Sequence, residues 1–370
     1  MINNLSQLLN DKLELRADKG NLRSLKIPEQ GIDFFSNDYL GLARNPAFHK
    51  QLSEEIHADP SILGGATGSR LISGNSVEKM RAEQEIAVFH GYPASLLFAS
   101  GYMANLALLS ALPGRGDTII MDELIHRSVH DGAALSAAQK WKFRHNDLNS
   151  LEDKLRRASG QIYVVVESLY SMDGDFASLN ELVVLTRRYN AALIVDEAHA
   201  FGVFGYGLVH HYGLQKHVFA TVITYGKALG AHGAAVLGEE LLKSYLVNFA
   251  SAFIYSTACP DLFARHIRLG YAFLNEHSEL SAQLKRRIAY FRQKKISSAS
   301  DPLSPVQAVI IPQHEVLIHL QQQLQKNGLQ VYAIYSPTVR EGQERLRICL
   351  HQYNTEEEID ALTAEINSVL

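Results

Sequence analysis

The chain has 370 residues, 46% hydrophobic and 20% charged, an ordinary globular composition on a length that exceeds one compact core, so two lobes are expected. Its net charge of -4, from 35 basic and 39 acidic residues, leaves no basic footprint for nucleic acid. No apolar run approaches membrane-spanning length and residues 1–16 carry acidic side chains rather than a secretory hydrophobic core, which predicts a cytoplasmic protein with no membrane partner.

The first 30 or so residues predict an amphipathic helix and a loop, leading into Ile32-Asp33-Phe34-Phe35-Ser36-Asn37-Asp38-Tyr39-Leu40-Gly41. From about residue 76, helical and strand-like patterns alternate. Helix is expected over Val77 to Phe89, strand over Ala94 to Phe98, helix over Tyr102 to Ser110, and strands over Asp117 to Met121 and Ile162 to Val166. A helix over Leu179 to Tyr189 precedes two strands ending at Val195 and Thr224. Short apolar strands separated by helices predict an α/β fold with a mostly parallel, doubly wound sheet and a site at the carboxyl ends of its strands.

The last third reads as a small α+β lobe. A helix-rich stretch, Leu262 to Lys294, precedes a strand over Val306 to Ile311 and a helix over Glu315 to Lys326 that stops at Asn327-Gly328. Strands over Val331 to Ile334 and Arg345 to Leu350 follow, and Thr355-Glu356-Glu357-Glu358 is a capping box opening the last helix. Three units result: an N-terminal segment 1–45, a large domain 46–262 and a small domain 263–370. Arg286-Arg287 and Lys294-Lys295 are expected on one exposed helix as a solvated face, and Cys259 and Cys349 as buried thiols without disulfide or metal spacing.

Several motifs fail their own requirements. A phosphate loop would need glycine at Thr221 and serine or threonine at Ala228. A nucleophile elbow would need glycine at Glu78. His126 and His130 have helical i, i+4 spacing, but Arg127 stands where a zinc protease needs glutamate, so no metal is expected. What remains is Lys227, on a small-residue turn after the strand ending at Thr224, and Asp196, at the end of Ala192-Leu193-Ile194-Val195 and before Glu197-Ala198-His199. A lysine that can bond an aldehyde and an aspartate that can keep a pyridine nitrogen protonated suit pyridoxal 5'-phosphate. Taken alone, a lysine beside a glycine turn such as Lys227 is usually a solvated charge. Ser100-Gly101-Tyr102 opens a helix and could bind phosphate through its amides, or be an ordinary strand-to-helix turn. His126 could stack on a ring or simply cap a loop.

Taken together, the ordered motifs point to a family. They are Ser36-Asn37-Asp38-Tyr39-Leu40-Gly41, Gly68-Ser69-Arg70-Leu71-Ile72-Ser73-Gly74, Ser100-Gly101-Tyr102-Met103-Ala104-Asn105, Ser171-Met172-Asp173-Gly174-Asp175, Val195-Asp196-Glu197-Ala198-His199, Thr224-Tyr225-Gly226-Lys227 and Arg345-Leu346-Arg347. From about Leu22 onward the chain resembles the α-oxoamine synthases, fold-type I pyridoxal phosphate enzymes that condense an amino acid with an acyl thioester and release carbon dioxide. The resemblance implies that Lys227 carries the cofactor and acts as acid and base, Asp196 pairs with the pyridine nitrogen, and His126 stacks on the ring. It puts His199 and Ser171 near the phenolic oxygen, and gives the phosphate to Gly101, Tyr102 and Thr224. Arg347 would take the amino-acid carboxylate, with Asn37 nearby and Arg23 at the acyl entrance. A homodimer is implied, with Thr257 of Tyr255-Ser256-Thr257 reaching the neighbour's phosphate. The stretch Pro337-Thr338-Val339 to Arg347 is similar to members that join L-alanine to a pimeloyl thioester; glycine-using and serine-using members are the alternatives, and a homologue without turnover is a third.

Two departures stand out. Glu197 replaces an aspartate and Phe201 a threonine of the family pattern, and the turn Gly205-Tyr206-Gly207-Leu208 is short and lacks an arginine. An aromatic ring at the entrance is expected to alter which acyl chain fits.

Overall fold

The computed structural model describes residues 2–18, 22–25, 27 and 30–369. Twelve strands are described: β1 (Ile32–Asp33), β2 (Ala94–Phe98), β3 (Thr118–Asp122), β4 (Gln139–Phe143), β5 (Ile162–Glu167), β6 (Ala192–Asp196), β7 (Ala220–Thr224), β8 (Ala234–Gly238), β9 (Val306–Ile310), β10 (Leu329–Gln330), β11 (Tyr332–Ile334) and β12 (Arg345–Cys349). Seven form the main sheet in the order β2-β8-β7-β6-β5-β3-β4. Neighbours from β7 to β4 pair in parallel, whereas β8 runs antiparallel to both β2 and β7. The large sheet is thus doubly wound as expected, with one reversed strand inside an otherwise parallel order.

Both faces of this sheet are covered, so its strands are apolar throughout rather than alternating with polar residues. Ile120, Val164, Val195 and Ile223 pack on one side; Ile119, Val165, Ile194 and Val222 pack on the other, against the helices Gly101–Ala111 and Arg127–Leu135. The edge strand β4, with the sequence Gln-Lys-Trp-Lys-Phe, keeps its lysines exposed, which discourages pairing with another chain's strand.

A second, antiparallel sheet has the order β11-β12-β9, and β1 pairs in parallel with β10. The N-terminal segment is thus sewn to the C-terminal lobe: Cys349 N donates to Phe34 O (2.7 Å) and Gln352 N to Tyr39 O (2.9 Å). Residues 34–39 are thereby held between the small sheet and the carboxyl ends of the large one. The helix Asp261–Glu276 packs against Val77–His90 and Pro46–Ala58, so the boundary expected at residue 263 falls at the start of a helix whose partners belong to the large body. The capping box is present, Glu358 N donating to Thr355 Oγ1 (3.2 Å) and Thr355 N to Glu358 Oε2 (3.0 Å). Among the described residues no helix is long and apolar enough to cross a membrane.

Some expectations need correction. Lys294 and Lys295 lie beyond the helix Glu279–Arg292 that carries Arg286 and Arg287, because the chain turns there and Lys295 takes a positive φ of 59°. Cys259 is only half-buried; Cys349 is buried in the core as expected, and its sulfur also accepts from the guanidinium of Arg347. Strand β11 starts at Tyr332 and β12 stops at Cys349, each slightly shorter than its apolar pattern. Along the N-terminal helix Ile2–Asp18 every described side chain is exposed, so its amphipathic pattern meets no core within the chain.

Phe201 is the largest correction. Its ring is 1% exposed and packs with His90, Tyr225 and Tyr271, well inside the large body, and is not a wall of any cavity described below. Glu197 explains the short turn. Its Oε1 accepts from the amides of Leu208 and Val209 (3.0 Å each), and Gly207 adopts φ of 103° because a Cβ there would collide with Oε2. Oε2 has no hydrogen-bond partner among the described residues. Burial pushes this carboxyl up to about 8, and the two amide donors oppose the shift only in part. The folded state therefore holds a proton that the unfolded chain releases near its ordinary value of 4.5. Stability from Glu197 is complete below that value and is lost as pH rises to about 8, at roughly 1.4 kcal/mol per pH unit. Glu197→Gln, a neutral isostere, is expected to gain thermal stability over the parent as pH rises from 5 to 8. A difference in melting temperature that stays constant across that range would show that Glu197 does not titrate there.

Candidate active site

At the carboxyl ends of β2, β5, β6 and β7 lies a cavity of about 790 Å³, open to solvent. The chain feeds it from strand ends and the turns that follow, as expected where parallel strands stop and helices begin. On one wall, Ser100 caps the helix Gly101–Ala111 by accepting from Met103 N (3.3 Å). The amides of Gly101 and Tyr102, in the first turn, donate to nothing among the described residues, and they face the cavity at the positive end of a helix. A side chain at Gly101 would collide with Thr224 Cγ2, so the loop needs glycine to lie against the end of β7. Two free amides at a helix start make a cradle for an anion, with Thr224 beside it, its methyl against Gly101 and its hydroxyl donating to Ala198 O (3.4 Å).

Opposite this cradle, Asp196 ends β6. Asn105 Nδ2 donates to its Oδ2 (2.7 Å) and Ala198 N to its Oδ1 (2.9 Å), so the carboxylate is fixed in direction with both oxygens partnered. Asn105 Nδ2 also donates to Ser128 Oγ (3.0 Å), which lies 2.8 Å from His126 Nδ1. Ser128 N donates to that same Nδ1 (3.3 Å), so His126 is both the cap of the helix Arg127–Leu135 and a wall of the cavity, with its proton on Nε2. The two alternatives for His126 are therefore not exclusive.

Lys227 sits on the connection between β7 and β8, closed by Tyr225 N to Gly233 O (3.0 Å) and by the positive φ of Gly230 and Gly233. Its amine makes no ion pair or hydrogen bond among the described residues. Burial lowers its pKa; the nearby carboxylates of Asp196 and Glu167 oppose that shift, and Arg347 adds to it. A lysine held this way is neutral more often than one in water, and it opens onto the cavity. Burial together with the neighbouring charge of Asp196 pushes Glu167 up to about 8. Its two oxygens accept from His126 N (2.7 Å) and Ser171 N (3.3 Å), clamping two site loops to the end of β5.

The remaining walls come from the segment sewn in at residues 34–39. Asn37 faces the cavity, and its Oδ1 accepts from Arg347 Nη2 (3.0 Å). Arg347 is 6% exposed, lies just behind this wall on β12, and donates from Nε to Ser171 O (2.7 Å). Tyr39 Oη lies 2.7 Å from His199 Nδ1, and His199 also lines the cavity. Burial, with the charges of Lys227 and Arg347, holds His199 well below its ordinary range, so it is neutral.

Ten expected residues, Asn37, Gly101, Tyr102, His126, Ser171, Asp196, His199, Thr224, Lys227 and Arg347, therefore gather around one cavity, Ser171 and Arg347 from its second layer. Two do not. Arg23 is exposed and is not a wall of this cavity, and Thr257 lines a neighbouring apolar cavity of about 530 Å³. Asn105 and Tyr39 are site residues that the motifs contained without marking, and Glu167 and Ser128 lie outside every motif. Asn105 and Tyr39 could have been sought as the polar positions in otherwise apolar or turn-forming stretches. Glu167, at the end of a β-branched strand, is the same signal that marks Asp196. Among the described residues no cluster has the composition of a metal site.

The donor set fits pyridoxal 5'-phosphate: an anion cradle, a carboxylate aimed into the cavity, and an unpartnered lysine between them. Comparison with known proteins agrees. The sequence profile of the class I and II aminotransferases matches residues 29–366. An 8-amino-7-oxononanoate synthase of Emericella nidulans is 38% identical over 394 residues, covering 98% of this chain and 95% of its own. The solved 8-amino-7-oxononanoate synthase of Francisella tularensis superposes with a TM-score of 0.78 at 30% identity, covering 91% of this chain and 97% of its own. A serine palmitoyltransferase variant of S. paucimobilis, solved with pyridoxal phosphate bound, superposes with a TM-score of 0.87 at 25% identity, covering 98% and 96%.

Proposed function

The chain belongs to the class I and II aminotransferase family, and we propose that it catalyses the decarboxylating condensation of L-alanine with a pimeloyl thioester, yielding 8-amino-7-oxononanoate, carbon dioxide and a free thiol in biotin biosynthesis. It is a pyridoxal phosphate-dependent acyltransferase. The observation that carries the substrate assignment is the 38% identity to such a synthase over nearly the whole chain, against 25% to the serine-using enzyme whose backbone it also resembles.

When bound, pyridoxal 5'-phosphate supplies an electron sink for the amino-acid α-carbon. Gly101, Tyr102 and Thr224 would hold its phosphate. Asp196, oriented by Asn105 and the Ala198 amide, would pair with the pyridine nitrogen. Lys227 would be the residue that holds the cofactor covalently, and its Nζ, which binds its proton less tightly than an ordinary lysine, would be the group that accepts the α-proton. Arg347, buried and tied to Ser171 and Asn37, offers a guanidinium for the substrate carboxylate. His126 would flank the ring, and His199 with Ser171 would lie towards its phenolic side. Arg23, on the exposed N-terminal segment, is assigned to the acyl entrance on resemblance alone. A large domain 46–262 and a small domain 263–370 bracket the cleft, with segment 1–45 as its third side.

We assign the active species as a homodimer. Large exposed apolar side chains gather on two stretches bridged by Ser69 and Thr257: Leu71, Ile72, Val77 and Met80 on one, Phe249 and Tyr255 on the other. A soluble monomer rarely leaves such side chains together in water. In this assembly Thr257, which stands away from its own chain's cavity, reaches the neighbour's phosphate. Sedimentation at assay concentration is expected to give a dimer; a fully active monomer would contradict it.

The substrate assignment is tested by thiol release across a panel of amino acids and acyl thioesters. L-Alanine with a pimeloyl thioester, on coenzyme A or an acyl carrier protein, is expected to have the highest specificity constant, about tenfold above pairs differing by one or two methylenes. A higher constant for glycine with acetyl-coenzyme A, or for serine with a long acyl chain, would overturn the substrate pair and leave the family intact.

A further inference from the structure

A line of buried hydrogen bonds joins the carboxylate-binding side of the cleft to His199, and its polarity can be worked out by counting protons. Arg347 carries only donors. Its Nη2 lies 3.0 Å from Asn37 Oδ1, which fixes the Asn37 amide with oxygen towards the guanidinium; the reverse orientation would set donor against donor. Cys349 Sγ, 3.9 Å from the same oxygen, adds a second weak donor on that side. Tyr39 Oη lies 3.1 Å from Asn37 Oδ1. The amide oxygen has no proton to give, so the phenol must donate.

Tyr39 is fully buried, and burial holds its phenol far above its ordinary range, so it keeps its one proton. With that proton committed to Asn37, Tyr39 Oη can only accept from its other neighbour, His199 Nδ1, at 2.7 Å. The neutral imidazole then carries its hydrogen on Nδ1. Its Nε2 has no partner among the described residues and is left with a lone pair on a side chain that lines the cavity.

We infer that Asn37 and Tyr39 are positioning residues that set the tautomer of His199, in the order Arg347 to Asn37, Tyr39 to Asn37 and His199 to Tyr39, so that His199 presents Nε2 to the cofactor as a hydrogen-bond acceptor. The ligand group that fits is a hydrogen-bond donor, a ring hydroxyl with its proton in place. The inference rests on the chain's own hydrogen bonds and on pyridoxal phosphate as cofactor, and is independent of which thioester is used. Motif matching gives Asn37 a substrate contact and Tyr39 no role; the geometry gives both a second task.

Long-range proton–nitrogen NMR of the full-length holoenzyme labelled with ¹⁵N-histidine reads which ring nitrogen bears hydrogen, and His199→Gln identifies the signal. The parent is expected to show His199 protonated on Nδ1, both with cofactor and after its removal. Asn37→Ala frees the Tyr39 proton to turn to Nδ1, so the signal is expected to shift to the Nε2-protonated pattern; Tyr39→Phe should lose the Nδ1-protonated pattern as well. Asn37→Asp keeps an acceptor oxygen and should retain the parent signal, which separates loss of polarity from loss of packing. A parent His199 protonated on Nε2, or Asn37→Ala and Tyr39→Phe that both leave the proton on Nδ1, would overturn the inference. Turnover is not needed for either reading, so failure of the substrate assignment would leave this result intact.

Discussion

One lysine organises the molecule. Lys227 has its amine in a largely enclosed cleft with no ion pair among the described residues, near two carboxylates that attract its charge and an arginine that repels it. A charge in such a place is costly, and the amine responds by binding its proton less tightly. The rest of the site can be understood as the scaffold that keeps this arrangement from collapsing. Asp196 would be the natural partner, yet Asn105 and the Ala198 amide occupy both of its oxygens. Glu167 would be another, yet it is engaged by two backbone amides and is itself held near 8. The lysine is thus available for bond formation because its neighbours are already satisfied.

The fold supplies those neighbours at low cost. Strands β5, β6 and β7 end side by side, and each delivers one group at its last residue or just beyond: Glu167, Asp196 and the Thr224-to-Lys227 turn. The reversed strand β8 is what makes the lysine turn a short return between adjacent strands rather than the start of a crossover helix. The small sheet contributes at right angles to this logic. Arg345 and Arg347 point from β12 towards the turn 171–175, Arg345 pairing with Asp173 (2.6 Å) and Arg347 with Ser171 O. These contacts tie the small sheet to the turn beside the cavity, so Arg347, which we propose binds the substrate carboxylate, is positioned by that turn.

Residues whose role follows from chain-local position were legible in the sequence. Lys227, Asp196 and His199 follow apolar strands, Ser100-Gly101-Tyr102 follows another, and the sheet's parallel character follows from the spacing of those strands. Strand β8 was harder, because Ala-Ala-Val-Leu-Gly carries one β-branched residue and sits directly after a glycine-rich turn. Residues whose role depends on distant partners were hidden within recognisable motifs. Tyr39 meets His199 across 160 positions, and Asn105 meets Asp196 across 91. Phe201 shows the opposite failure: two residues from His199, it lies on the far side of the same tight turn and fills an aromatic core. Proximity in sequence to a site residue says little where the backbone turns at almost every position.

The central claim is that Lys227, and no other lysine, is where the cofactor attaches. Borohydride reduction of the holoenzyme fixes the cofactor to whichever amine holds it, and peptide mass mapping then locates it. A single modified peptide containing Lys227, lost in Lys227→Ala while the protein stays folded, is the predicted result. Cofactor fixed to a different lysine in the parent protein, or to several lysines in comparable amounts, would contradict the account.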